Sequence, residues 1–157
     1  MNILAFDTST EIFSICLATD KSSFEFSCSQ GYKHSETLVT EVDSLLKRGK
    51  ISASELDLII CPRGPGSFTG LRIGISTAKG ISLGSDTPMV TVPTLDMMAY
   101  GLDYFDGVVL PVIDARKKRF YTALFTRGEK ISDNLDLTPE NISTKLIDYR
   151  RILLTGS

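Results

Sequence analysis

The chain has 157 residues, of which 42% are hydrophobic, enough for one domain or two small ones with a real core, and this excludes a disordered chain. Its 17 Lys and Arg against 19 Asp and Glu leave a net charge of −2, which argues against binding nucleic acid by bulk charge alone. Charged residues interrupt every apolar run before it reaches the roughly 18 residues of a membrane span, and the start Met1-Asn2-Ile3-Leu4-Ala5-Phe6-Asp7 lacks the basic region of a secretion signal, so a soluble cytoplasmic chain without membrane contact is expected. Cys16, Cys28 and Cys61 have no CxxC spacing and one histidine in all for company, so each is expected as a core hydrophobe and not as a disulfide partner or zinc ligand.

Three strands are expected first, over Ile3 to Phe6, Ile12 to Ala18 and Ser23 to Cys28, with Phe24, Phe26 and Cys28 sharing one face of the third. From His34 the period lengthens: Leu38, Val39, Val42, Leu45 and Leu46 make the apolar stripe of a helix, with Ser35 as its N-cap and an end near Arg48-Gly49. Leu56 to Cys61 reads as a buried parallel strand stopped by Pro62. A helix over Ser67 to Leu83, a strand over Met89 to Val92 and a short helix over Thr94 to Leu102 follow. The order βββαβαβα is α/β with a mixed sheet and helical crossovers, the ribonuclease H-like layout.

The chain then begins again. Leu110 to Asp114 is a strand ending in aspartate, followed by strands over Phe120 to Thr126 and Glu129 to Ile131, a helix over Pro139 to Tyr149 and a strand over Ile152 to Thr155. Asp114 takes the place of Asp7, as in an internal duplication whose second copy is cut short. The expected division is a complete lobe over residues 1–103 and a partial one over 104–157.

The stretch Gly64-Pro65-Gly66-Ser67-Phe68-Thr69-Gly70-Leu71-Arg72 takes the chain from a strand into a helix through a glycine turn. Its free N–H groups offer an anion site, and with Asp7, Thr8 and Ser9 they make a candidate degenerate phosphate loop; equally, Gly64 and Gly66 shape the turn and Ser67 caps the helix. No Walker lysine follows the second glycine. Along the helix, Gly70, Gly74, Ala78 and Ser82 recur every four residues, with Leu71, Ile75 and Ile81 beside them. Close approach of a second backbone explains such a stripe, either the protein's own sheet or a helix of a second protein. The lone His34 cannot complete a paired metal site, and no GxSxG elbow is present. Asp7-Thr8-Ser9-Thr10 stands where actin-like domains and sugar kinases place a phosphate- or metal-orienting aspartate, and an Asx turn explains it as well. Arg116-Lys117-Lys118-Arg119 reads as a solvated hairpin tip or a local contact for RNA phosphates.

Four segments, Ile3-Leu4-Ala5-Phe6-Asp7-Thr8-Ser9, Lys33-His34-Ser35-Glu36-Thr37-Leu38, Gly64 to Gly74 and Val112-Ile113-Asp114-Ala115-Arg116, closely resemble the bacterial TsaB (YeaZ) family; the glycine signature alone points to the wider Gcp/TsaD superfamily. The resemblance implies an actin-like (ASKHA) fold. It implies a non-catalytic subunit of the complex that makes N6-threonylcarbamoyladenosine on tRNA, in which the paralogue TsaD carries the metal and the transfer chemistry. TsaD would be the heterodimer partner, TsaE would join in a ternary complex, a homodimer would form without TsaD, and tRNA would be met through the complex. The interface it implies lies on the two first-lobe helices, on this chain Leu38, Val42, Leu45, Gly70, Leu71, Gly74, Ile75, Ala78 and Ser82, with no catalytic residue, no metal and no intrinsic cofactor beyond ATP or ADP held weakly or at the complex interface. On that footing Gly74→Leu or Ala78→Arg is expected to break docking and spare the fold. The alternative is an ATP-handling or glycopeptidase-like enzyme of the same superfamily. Family members continue beyond this length, so the second lobe is expected to be truncated or naturally short.

Overall fold

The structure, a computed structural model, describes residues 1–29 and 34–156. It divides into two compact units, Met1–Val92 and Pro93–Ser157. No helix among the described residues is long and apolar enough to cross a membrane.

In the first unit the strands β1 (Ile3–Asp7), β2 (Ile12–Ala18) and β3 (Ser23–Ser29) form an antiparallel meander. Helix α1 (His34–Gly49), strand β4 (Leu58–Pro62), helix α2 (Phe68–Ser85) and strand β5 (Met89–Val92) follow, and β4 and β5 add in parallel, giving the order β3-β2-β1-β4-β5. That is the ribonuclease H-like order. Leu4 pairs with Leu17 and Phe6 with Ile15 across β1 and β2, and with Phe13 and Ile59 they make one face of the sheet apolar. Leu38, Val42 and Leu45 of α1 and Ala78 of α2 close over that face, and Phe24, Phe26 and Cys28 pack at its edge. Fully burying one such Leu or Phe contributes about 1.5–3 kcal/mol, so α1 and α2 are held mainly by what they cover.

Several local readings shift. Helix α1 starts at His34, so Ser35 lies inside it and is not its cap. Pro62 pairs with Val92 at the end of β4 instead of stopping the strand before it, and the next residue restores the ladder, Arg63 N–H donating to the Val92 carbonyl at 2.9 Å. Cys61 is buried and Cys28 packs on the core, but Cys16 alternates with buried Ile15 and Leu17, so it faces the other side of the sheet, its Sγ 3.5 Å from Ser23 Oγ.

The second unit opens with helix α3 (Thr94–Ala99), then strands β6 (Val108–Arg116), β7 (Arg119–Thr122), β8 (Phe125–Thr126), β9 (Glu129–Lys130) and β10 (Leu135–Leu137), helix α4 (Pro139–Leu146) and strand β11 (Ile152–Gly156). Antiparallel β6, β7 and β10 repeat β1, β2 and β3, and β11 lies parallel to β6 as β4 does to β1. The duplication is therefore visible in the pairing. Its third strand is β10, not the expected Glu129 to Ile131, which is one arm of an inserted β8–β9 hairpin. The expected strand Phe120 to Thr126 is broken at Ala123 and Leu124 for the same reason.

Strand β6 is buried on both faces, which is why it reads as an unbroken apolar run. Val108 and Leu110 face a cluster with Ile142 and Leu146 of α4, while Val109 and Ile113 face Leu95 and Ala99 of α3. Those contacts put α3 in the second unit, so the division falls after Val92 and not after residue 103.

Candidate functional site

The end of β1 and the start of α2 meet at Asp7, Thr8, Ser9, Gly64, Gly66 and Ser67, all six of the residues expected to form a phosphate loop. Asp7 Oδ1 accepts from the Ser9 N–H at 2.7 Å and from the Ser9 hydroxyl at 2.6 Å, an Asx turn. Asp114 repeats it in the second copy, accepting from the Arg116 N–H at 2.7 Å. Ser67 N–H donates to the Ser9 carbonyl at 2.6 Å, and Ser67 Oγ caps α2 by accepting from Gly70 N–H at 3.3 Å. Ser9, Ser67 and Gly70 thus spend within the chain three of the donors that a phosphate at this helix start would use. Gly64 is needed for its φ of 94°, and Gly66 for the approach of Ser9, whose carbonyl oxygen would lie 2.5 Å from a β-carbon at 66. The loop joins two backbones, which is the turn-and-cap alternative.

Along α2 the stripe Gly70, Gly74 and Ala78 is buried inside the first unit. A β-carbon on Gly70 would collide with the Thr8 carbonyl oxygen, and one on Gly74 with the Thr8 hydroxyl. That hydroxyl donates to the Gly70 carbonyl at 2.8 Å. Ser82 at the far end donates through its hydroxyl to the Thr87 carbonyl at 2.6 Å. The second backbone that the small stripe admits is therefore the end of β1. Leu38, Val42 and Leu45 are buried with it, while Leu71 and Ile75 are half-buried. As a docking surface the expected set is corrected: six of its nine residues point into the core, and Gly74→Leu would break the fold before it broke an interface.

The outward face of the same helices carries exposed residues that lie outside the expected interface set. Arg72, Ser76, Gly80 and Gly84 repeat at intervals of four and are exposed, as are Phe68 at 73% and Leu83 at 86%. Among the described residues, a β-carbon at Gly80 or Gly84 would meet nothing within 4 Å, so no described contact requires either glycine. Arg72 lies 5.2 Å over the Phe68 ring, a cation–π contact that accounts for a cation near the positive end of the helix. On α1, Val39 is 60% exposed. The signal was a second four-residue stripe, offset round the helix from the first.

His34 heads α1, and its side chain, with Lys33, lies outside the described residues. Among the described residues no three His, Cys, Asp or Glu side chains gather as metal ligands.

Residues 30–146 match the family model described as "TsaD: tRNA N6-adenosine threonylcarbamoyltransferase". The Escherichia coli tRNA threonylcarbamoyladenosine biosynthesis protein TsaB is 40% identical over 161 residues, covering 99% of this chain and 68% of that protein. The chain belongs to the TsaB family. The Bacillus subtilis TsaB is 35% identical over 80% of this chain and 55% of its own length. In solved structures, YeaZ from Pseudomonas aeruginosa superposes with a TM-score of 0.78 at 30% identity, covering 88% of this chain and 68% of that one. The chain thus spans between about half and two thirds of these TsaB relatives.

Proposed function

We propose that this chain serves tRNA threonylcarbamoyladenosine synthesis as a non-catalytic subunit that docks on a TsaD subunit through the outward face of α2 and the adjoining face of α1. Membership of the TsaB family supports the pathway. The observation that carries the docking role is the exposed stripe Ser76, Gly80 and Gly84 with Phe68 and Leu83. Gly80 in the helix interior costs about 1 kcal/mol relative to alanine, no described residue comes within 4 Å of a β-carbon at Gly80 or Gly84, and a second helix approaching closely would make use of both. Exposed Phe68 and Leu83 on α2 and Val39 on α1 then supply apolar area for a buried interface centre. When TsaD is absent the same face closes on a second copy, and TsaE joins the assembly elsewhere. A non-catalytic role is supported by the single histidine and by the loop donors already engaged around Asp7. ATP or ADP, if held, belongs to the complex interface.

The test is co-expression with the TsaD of the same organism, read by size-exclusion chromatography. Gly80→Leu and Leu83→Asp should abolish co-elution while the circular dichroism of the chain stays native, and Lys21→Glu on the β2–β3 turn should change nothing. Co-elution that survives both substitutions overturns the docking face. Turnover of ATP by the purified chain alone would favour the enzyme reading.

A further inference from the structure

The β6–β7 connection departs from the chemistry its turn prefers. Arg116 pairs with Arg119, so Lys117 and Lys118 are a two-residue hairpin loop, and the pairing slips between Asp114 and Arg116. Arg116, Lys117 and Lys118 have φ of 67°, 53° and 60°. Positive φ at both central residues is the type I′ turn, for which Asn and Gly are the usual occupants. Two lysines hold the left-handed region there at a cost that Asn-Gly would avoid, and all four basic residues are exposed, so burial does not offset it. Backbone strain kept by charged, solvent-facing residues leads from outlier to function.

We infer that this tip binds the phosphodiester backbone of RNA and, resting on the reading of the preceding subsection, that the RNA is the tRNA on which the complex acts. The carboxylates beside the tip have partners other than the two lysines. Asp114 Oδ1 is turned back onto the Arg116 N–H, and Asp136 holds Arg119, with Nε to Oδ1 at 2.8 Å and Nη2 to the Asp136 carbonyl at 2.5 Å. Among the described residues, no ion pair involves Lys117 or Lys118. Two ammonium groups, Lys117 and Lys118, with no ion-pair partner among the described residues, therefore stand side by side on a short, preorganised loop. Ammonium groups suit phosphates and not base edges, and the nearest aromatics, Phe120 and Tyr121, are half-buried in β7 and not placed at the tip for stacking. A membrane surface fits less well, because interfacial binding draws on apolar side chains and residues 116–119 include none. The contact would position the RNA without reading its sequence.

The test titrates tRNA against the co-purified complex and against the full chain alone across a salt series. The variant is Lys117→Asn with Lys118→Gly, which removes both charges and restores the residues the turn prefers. The slope of log affinity against log salt should flatten by about 2, about 1 for each phosphate no longer neutralised, equally for every tRNA sequence. The variant should melt no lower than wild type and should still co-elute with TsaD. An unchanged tRNA titration overturns the inference. So does capture of wild type, but not variant, by vesicles containing anionic phospholipid while the tRNA titration stays the same. Failure of wild type to co-elute with TsaD overturns the docking reading instead, and the titration of the full chain alone still decides the tip.

Discussion

The Thr8 hydroxyl stands where a β-carbon on Gly74 would have to be, and it reaches that place by donating to the carbonyl of Gly70 one turn earlier at 2.8 Å. One side chain at the end of β1 thus sets the closest approach of α2. Gly74→Ala should cost about 1–3 kcal/mol through overpacking, and Thr8→Ala about 1–2 kcal/mol through removal of the buried hydrogen bond. The double variant should cost less than the sum by about 1 kcal/mol, since removing Oγ1 makes room for the methyl. Gly70→Ala should not be rescued by Thr8→Ala, because there the obstructing atom is the Thr8 backbone oxygen. Urea unfolding of these variants checks both statements, and strict additivity in the first cycle would contradict them.

The outer glycines should behave in the opposite way. Gly80→Ala and Gly84→Ala enter open space, so Gly80→Ala in the helix interior should raise stability by about 1 kcal/mol and Gly84→Ala in the last turn by less, additively, in the free chain. In the presence of TsaD the same substitutions should weaken co-elution. A stabilised chain that assembles less well separates a docking role from a folding role, and a loss of stability would refute the outward assignment.

The β6–β7 turn carries its own stability prediction. Replacing Lys117 and Lys118 by Asn and Gly should raise the melting temperature, with a gain on the order of 1 kcal/mol from relief of left-handed strain. A fall in melting temperature would mean that the lysines make interactions worth more than that strain.

Acid should weaken the turn before β4. Glu55 is held below the ordinary carboxylate value of 4.5, first by the Ser52 N–H at 2.8 Å and then by the Ser52 hydroxyl at 2.9 Å. Its folded value is depressed, so its contribution is present above pH 4.5 and is lost as pH falls from there through the folded value. Glu55→Gln should therefore lose less stability than wild type on going below pH 4.5. Parallel pH curves for the two proteins would show that the carboxylate contributes nothing.

Burial pushes the Cys61 thiol up, and the side chain is 1% exposed. With iodoacetamide at mildly alkaline pH, half-exposed Cys16 should react in the native protein and Cys61 only on unfolding. Mass spectrometry of the labelled peptides distinguishes them.

The features legible in the chain alone were local and periodic. Alternation over residues 23–28 and the helical period from Leu38 to Leu46 mark elements whose one face must be buried, and burial follows from the period alone. An aspartate after an apolar strand run, at Asp7 and again at Asp114, revealed the duplication: each carboxylate accepts from the N–H two residues on, although β1 ends at Asp7 and β6 runs on past Asp114 to Arg116. Strand β10 escaped because three residues, Leu135–Leu137, are too short to show a period. Which way each small stripe of α2 faces was settled by packing and by nothing in the sequence. Gly70, Gly74 and Ala78 and the stripe Ser76, Gly80 and Gly84 share one spacing, and a four-residue repeat has no direction until a sheet lies on one side of it. Thr8 supplies that direction by filling the space beside Gly74, which leaves Gly80 and Gly84 facing outward.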